Sequence, residues 1–112
     1  MIKVSVFYPN SESARFDMEY YCERHIPMVR AKLGTACKGA EVERGLAGEA
    51  PGSRPPFAAV AHLYFDSAED FEASFGPHAG EFAGDVPNFT NIGPFVQVSE
   101  VAMPLDSAAT KR

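Results

Sequence analysis

Residues Phe57 to Phe65 (FAAVAHLYF) constrain the fold more than any other stretch of the chain. Ala59, Ala61, Leu63 and Phe65 alternate with Ala58, Val60, His62 and Tyr64, which is a strand pattern whose two faces are both largely apolar. Such a strand is expected to have both faces covered. The other elements can be placed around it. Ile2, Val4, Val6 and Tyr8 alternate with Lys3, Ser5 and Phe7, a second strand that Pro9-Asn10-Ser11 ends. From Asp17 the period changes: Met18, Cys22, Ile26, Val29 and Leu33 recur every three or four residues, the stripe of an amphipathic helix.

Pro27 has no amide hydrogen to give the carbonyl of Glu23, so the spacing predicts two short helical pieces meeting near His25, with Gly34 closing the second. Lys38 to Leu46 reads as a third strand, its charges suited to a sheet edge. Ala47 to Pro56 is a Gly- and Pro-rich loop. Asp66-Ser67 followed by Glu69-Asp70 caps a second helix, with Ala68, Phe71, Phe75, Ala79 and Phe82 as its stripe and a break at Gly76-Pro77. A last strand runs from about Gly93 to Ala102.

The order strand, helix, strand, strand, helix, strand is the split β-α-β plan of an α+β, ferredoxin-like β-α-β-β-α-β subunit. It predicts a four-stranded antiparallel sheet with two helices on one face, in a single domain over residues 1–103 with a tail from Pro104 to Arg112. If Val4, Val6, Ala59, Ala61, Leu63, Val96 and Val98 face the helices, the other face carries Ser5, Phe7, Val60, His62, Tyr64, Phe95, Gln97 and Ser99. That second face is too apolar to stay in water and too polar for a dry core. The expectation is a homodimer that packs two such sheets face to face and leaves ligand space between them.

Three segments together resemble the EthD family, named for a protein of ethyl tert-butyl ether degradation, within the dimeric α+β barrel superfamily. They are FDMEYYCERHIP at Phe16 to Pro27, Leu63-Tyr64-Phe65-Asp66-Ser67, and Gly84-Asp85-Val86-Pro87-Asn88-Phe89-Thr90 with Pro94 and Gln97 beyond it. The resemblance spans roughly residues 1 to 103. It implies a ferredoxin-like subunit paired into a barrel, with a ligand cavity between sheet and helices. Relatives across that superfamily rearrange, cyclise, decarboxylate or oxygenate small aromatic or polyketide-like molecules, often with no metal or organic cofactor, and distant branches bind haem.

Of three histidines, His25 is the strongest candidate for chemistry, since an imidazole exchanges protons near neutrality and this one sits at the Pro27 break. Its bland reading is a structural histidine bonded to a carbonyl freed by that break. Tyr21, four residues earlier, is placed to orient His25 or bind substrate, whereas Tyr20 points elsewhere and packs. Asp85, after a stop at Gly84, is a second orienting or proton-holding group, or else a turn cap. Asn88 and Thr90 are ligand donors or turn formers. His62 and Tyr64 share a strand face and line either the cavity or the subunit interface, with Phe7 and Phe95 as walls and Gln97 beside them. Cys22 reads as a small core residue. No two histidines have a ligand spacing and no Glu or Cys completes one, so no metal is expected; the resemblance implies that no cofactor is needed either.

A net charge of −5 and a pI near 5.1 argue against nucleic acid or an anionic membrane as partner. No apolar run approaches the roughly 20 residues that span a bilayer. The N-terminus is too short and too alternating for a signal peptide, so a cytoplasmic address is the expectation. The leading function is a cofactor-independent enzyme whose His25 moves a proton on a small hydrophobic, oxygenated metabolite, in a catabolic or secondary-metabolic pathway. The alternative is a non-catalytic binding or accessory protein for such a metabolite in ether or aromatic degradation. A haem protein with His25 or His62 as axial ligand is the third reading.

Overall fold

The strand with two apolar faces, β3 (Phe57–Phe65), lies inside a four-stranded antiparallel sheet of order β2-β3-β1-β4 in the computed structural model, which describes residues 1–105. Its neighbours are β1 (Ile2–Pro9) and the edge strand β2 (Gly39–Arg44); β4 (Phe95–Glu100) pairs with the outer side of β1. Two helical arms follow β1 and β3. The first is α1 (Met18–Tyr20), a π turn over Tyr21–His25 and α2 (Ile26–Leu33); the second is α3 (Ala68–Phe75), a 3₁₀ turn over Gly76–His78 and α4 (Ala79–Asp85). This is the expected α+β ferredoxin-like subunit. Most of the tail expected from Pro104 lies outside the described residues.

Cross-strand register sorts the two faces. Val4 opposes Leu63 and Val98, and Val6 opposes Ala61 and Val96, on the face under the helices. There Val4, Leu63 and Phe65 pack with Val29, Leu33, Cys37 and Phe82, while Ala59, Ala61 and Tyr8 pack with Tyr21 and Phe89. Each large apolar side chain so buried contributes about 1.5–3 kcal/mol. Ser5 opposes His62 and Gln97, Phe7 opposes Val60 and Phe95, and Lys3 opposes Tyr64 and Ser99, all on the face turned away from the helices.

The first arm departs from its sequence reading in an instructive way. Pro27 does not split the helix in two. The chain absorbs it by widening the preceding turn, so that the Ile26 amide reaches back to the Tyr21 carbonyl, an i to i+5 bond. A π turn holds one more residue than an α turn, which re-phases everything upstream. The buried positions become Tyr21, His25, Val29 and Leu33, and Cys22 is exposed rather than part of the core. The second arm differs in a similar way: Gly84 does not stop the helix, which runs through it to Asp85 before a 3₁₀ turn over Val86–Asn88. Gly34, at φ 65° and ψ −144°, does close α2, in a positive-φ conformation open to glycine and few other residues. Ser67 caps α3 by accepting the Asp70 amide at 3.1 Å.

Candidate active site

The two arms bring His25 and Asp85 together although 60 residues separate them. The Nδ1–H of His25 donates to Oδ2 of Asp85 at 2.8 Å. The carboxylate is itself held: its Oδ1 accepts from the Tyr20 hydroxyl at 2.8 Å and from the Asn88 side-chain amide at 2.9 Å. Burial pushes the Asp85 carboxyl up, but hydrogen bonds from Asn88, His25 and Tyr20 outweigh it and leave the acid below its ordinary value. Such a lowered acid adds stability above the unfolded carboxylate range, and that stability is lost as pH falls through the folded value. The bond to Asp85 raises the Tyr20 phenol above its ordinary value, so it remains a proton donor to the carboxylate.

Aromatic rings fix the imidazole. Tyr21 stacks on it with centroids 5.3 Å apart and planes 14° from parallel, and Phe89 tilts against it at 4.6 Å. The pairing with Asp85 keeps the proton on Nδ1. Nε2 has no hydrogen-bond partner among the described residues and is not sealed in, since none of them leaves a fully buried side-chain polar atom unpartnered. His25 faces a cleft of about 410 Å³ between the helices and the sheet. Ile26, Val29, Phe82, Val86, Ala61 and Val96 supply much of its wall, so a compound bound there meets an apolar surface.

Two phenols line the same cleft. The hydroxyls of Tyr8 and Tyr21 lie 3.3 Å apart, and both residues are nearly inaccessible to solvent. One hydrogen occupies the bond between them, so the pair keeps a second O–H to give. Burial raises both phenols above their ordinary values, Tyr21 the further, and they stay protonated at any ordinary pH.

The structure distributes the expected site residues unevenly. His25, Tyr21 and Asp85 come together, with Asn88 as a donor to Asp85. Tyr20, read as packing from the sequence, is the phenol that holds Asp85; its place as the first tyrosine of the FDxxYY run is its only sequence signal. Thr90 serves the chain itself, its hydroxyl donating to the Arg15 carbonyl at 2.6 Å and accepting the Ile92 amide at 3.1 Å. Phe7, His62, Tyr64, Phe95 and Gln97 lie on the sheet face away from the helices, so they do not line the cleft that holds His25. The cavity opens on the helix side, where Ala61 is too small to fill the space beneath the first arm. There Val6, Tyr8, Ala61 and Leu63, expected simply as core or strand residues, form the floor. His62 instead shares a hydrogen bond with Ser5 and stands beside Glu41 and Glu43, neighbours that sequence spacing did not offer.

Comparison with known proteins agrees with this architecture. The EthD domain is matched over residues 10–93. The crystal structure of an EthD-like protein from Ralstonia eutropha is 52% identical, with a TM-score of 0.87, over 91% of this chain and 92% of its own. An uncharacterized 11.0 kDa protein of the thcB–thcC intergenic region in Rhodococcus erythropolis is 34% identical over 98 residues, 83% of this chain and 87% of that protein. The hydroxynitrile lyase of Passiflora edulis, 20% identical over 92% of this chain and 96% of its own, has the same fold at a TM-score of 0.52. Among the described residues no helix is long and apolar enough to cross a membrane.

Proposed function

The chain belongs to the EthD domain family, and we propose that it is an enzyme in which His25 transfers a proton to or from a carbon of a small, hydrophobic, oxygenated compound. The observation that carries this reading is the bond from His25 to a carboxylate that two further donors hold in place, beside an apolar cleft. With Nδ1–H committed to Asp85, Nε2 presents its lone pair to the cleft. It removes a proton from a carbon next to a carbonyl and becomes an imidazolium whose charge Asp85 balances. The electron pair left by that proton moves onto the substrate oxygen, where the spare O–H of the Tyr8–Tyr21 pair donates to it. Return of the proton from Nε2 to another carbon completes an isomerisation. Where the enolate carbon instead attacks a second carbonyl of the same molecule, that carbonyl's π pair moves to its oxygen, which takes the proton from Nε2 and leaves a closed ring. Delivery of the proton to a departing group completes an elimination. His25 and Asp85 supply this proton transfer themselves.

Hydrogen exchange tests the reading. A panel of apolar ketones, aldehydes and phenols is incubated with the protein in deuterium oxide and followed by nuclear magnetic resonance. At least one is expected to lose a carbon-bound proton faster than in buffer. Asp85→Asn should lower that exchange by roughly 10²- to 10⁴-fold, because an amide neither balances the imidazolium nor enforces the Nδ1–H tautomer. A panel member that binds in the cleft and never exchanges would instead support the accessory, ligand-holding alternative.

The same reading makes the working form a homodimer. Edge strand β4 exposes Phe95, Val96 and Val98 at 65, 57 and 46%, and Val96 also lines the cleft. An edge so apolar is normally covered, and a second copy laid over it would close the cleft beside Val96. Analytical ultracentrifugation is expected to show a dimer, and Val98→Lys to shift it towards monomer; a wild-type chain that sediments as a monomer at micromolar concentration removes the assembly from the account.

A further inference from the structure

Strand pairing assembles a second cluster on the opposite face of the sheet, with no residue in common with the cleft. Glu41 of β2 stands directly opposite His62 of β3, and Glu43 leaves the same face of β2 two residues on. One donor atom from each of the three lies within 4.8 Å of the others. Sequence spacing hides this set, because the loop from Ala47 to Pro56 parts the glutamates from the histidine and only the β2–β3 register reunites them.

The histidine is already prepared on one side. Its side chain is 11% exposed, and Nδ1 lies 2.8 Å from Oγ of Ser5, a buried residue of the neighbouring strand. Nε2 then faces the carboxylates. Its separation from Oε2 of Glu43 is 3.4 Å, too long for an N–H···O hydrogen bond, although the Glu43 side chain is 55% exposed and has room to approach. A nearly buried ring thus turns an accessible nitrogen toward two carboxylates that do not satisfy it. Lys3 is the nearby cation on this face, and its ammonium is held over the Tyr64 ring at 5.5 Å.

We propose that Glu41, Glu43 and His62 bind a divalent transition-metal ion of the zinc type. One imidazole nitrogen and two carboxylate oxygens are a donor set that borderline metals accept, whereas magnesium and calcium favour oxygen alone. Ser5 acts as the outer support, accepting Nδ1–H so that the Nε2 lone pair points at the ion. Bond lengths near 2.0–2.2 Å require the donors to close in on one another, a movement within reach of two exposed glutamates. At least one coordination position stays open to water. The site lies at the β2 side of the sheet, away from the apolar β4 edge, and it stands or falls independently of the reading of His25.

The test uses the full chain after chelator treatment and dialysis, titrated with zinc by calorimetry and with cobalt by visible absorption. One ion per chain is expected, with cobalt bands characteristic of nitrogen and oxygen ligands. His62→Ala and Glu43→Gln should each weaken zinc binding by tenfold or more, and Ser5→Ala by about 10- to 100-fold. His25→Ala should leave it unchanged. Glu43→Gln alters only an exposed side chain, so it remains informative if His62→Ala fails to fold. Absence of stoichiometric binding by the unaltered protein, or undiminished affinity in Glu43→Gln, overturns the proposal; the latter result would mark an adventitious site at His78 or Cys22.

Discussion

His25→Ala is expected to lower the rate of proton exchange or turnover by about 10²–10⁴-fold, the usual contribution of a positioned general acid–base group. The ligand's dissociation constant should change far less, because the cleft wall is otherwise apolar and stays in place. A KM-against-kcat comparison separates the two effects. A fall in kcat with KM nearly constant marks lost chemistry, whereas a rise in KM alone would make His25 a binding residue and leave the proton to another group. Alanine also removes the ring that Tyr21 stacks on and Phe89 leans against, so thermal denaturation should accompany the kinetics. His25→Asn offers a second variant that fills more of the space. If either variant, well folded, retained full exchange activity, proton transfer by His25 would be excluded.

The largest effect on stability is expected at Phe65. Its side chain has no solvent exposure, meets Phe71 edge-on at 5.3 Å and packs with Val4, Leu33 and Phe82 where the sheet meets both arms. Phe65→Ala removes that contact and leaves a cavity, at a cost of about 3–5 kcal/mol. Domains of this size are stable by roughly 5–15 kcal/mol in all, so the melting temperature should fall by about 12 °C or more. Phe65 does not line the cleft. The variant should therefore keep its activity at temperatures where it remains folded, and a urea titration against a parallel activity assay checks both halves of the expectation. A change under 1 kcal/mol would mean that the two arms pack on the sheet more loosely than the structure shows.

The sheet was legible in the sequence because its signal is local. Val4, Val6, Ala61 and Leu63 repeat every two residues, and the structure puts them on the face that alternation predicts. The pairing of His25 with Asp85 was legible only through the two motifs that carry them, since nothing local states that the arms meet. The error at Cys22 has one physical source: a 3.6-residue period cannot anticipate a turn that holds an extra residue, and Pro27 is compatible with a break as well as with a π turn. The cleft between sheet and helices was legible only through the family resemblance. Counting apolar residues located a face that needed cover, but not the hollow left beneath the helices by small side chains such as Ala61. Tyr20 shows the same limit, because its partner lies 65 positions away on the other arm.

The aromatic surround of His25 also gives the molecule an optical character. The chain contains no tryptophan, so its near-ultraviolet emission comes from four tyrosines. Three of them sit around one imidazole: Tyr21 stacked on its ring, Tyr8 bonded to Tyr21, and Tyr20 bonded to the carboxylate that holds it. Two of the four phenols form part of the cleft wall and a third is bonded to the carboxylate behind the imidazole, so a visitor to the cleft would alter the protein's intrinsic fluorescence and the fold carries its own reporter of occupancy.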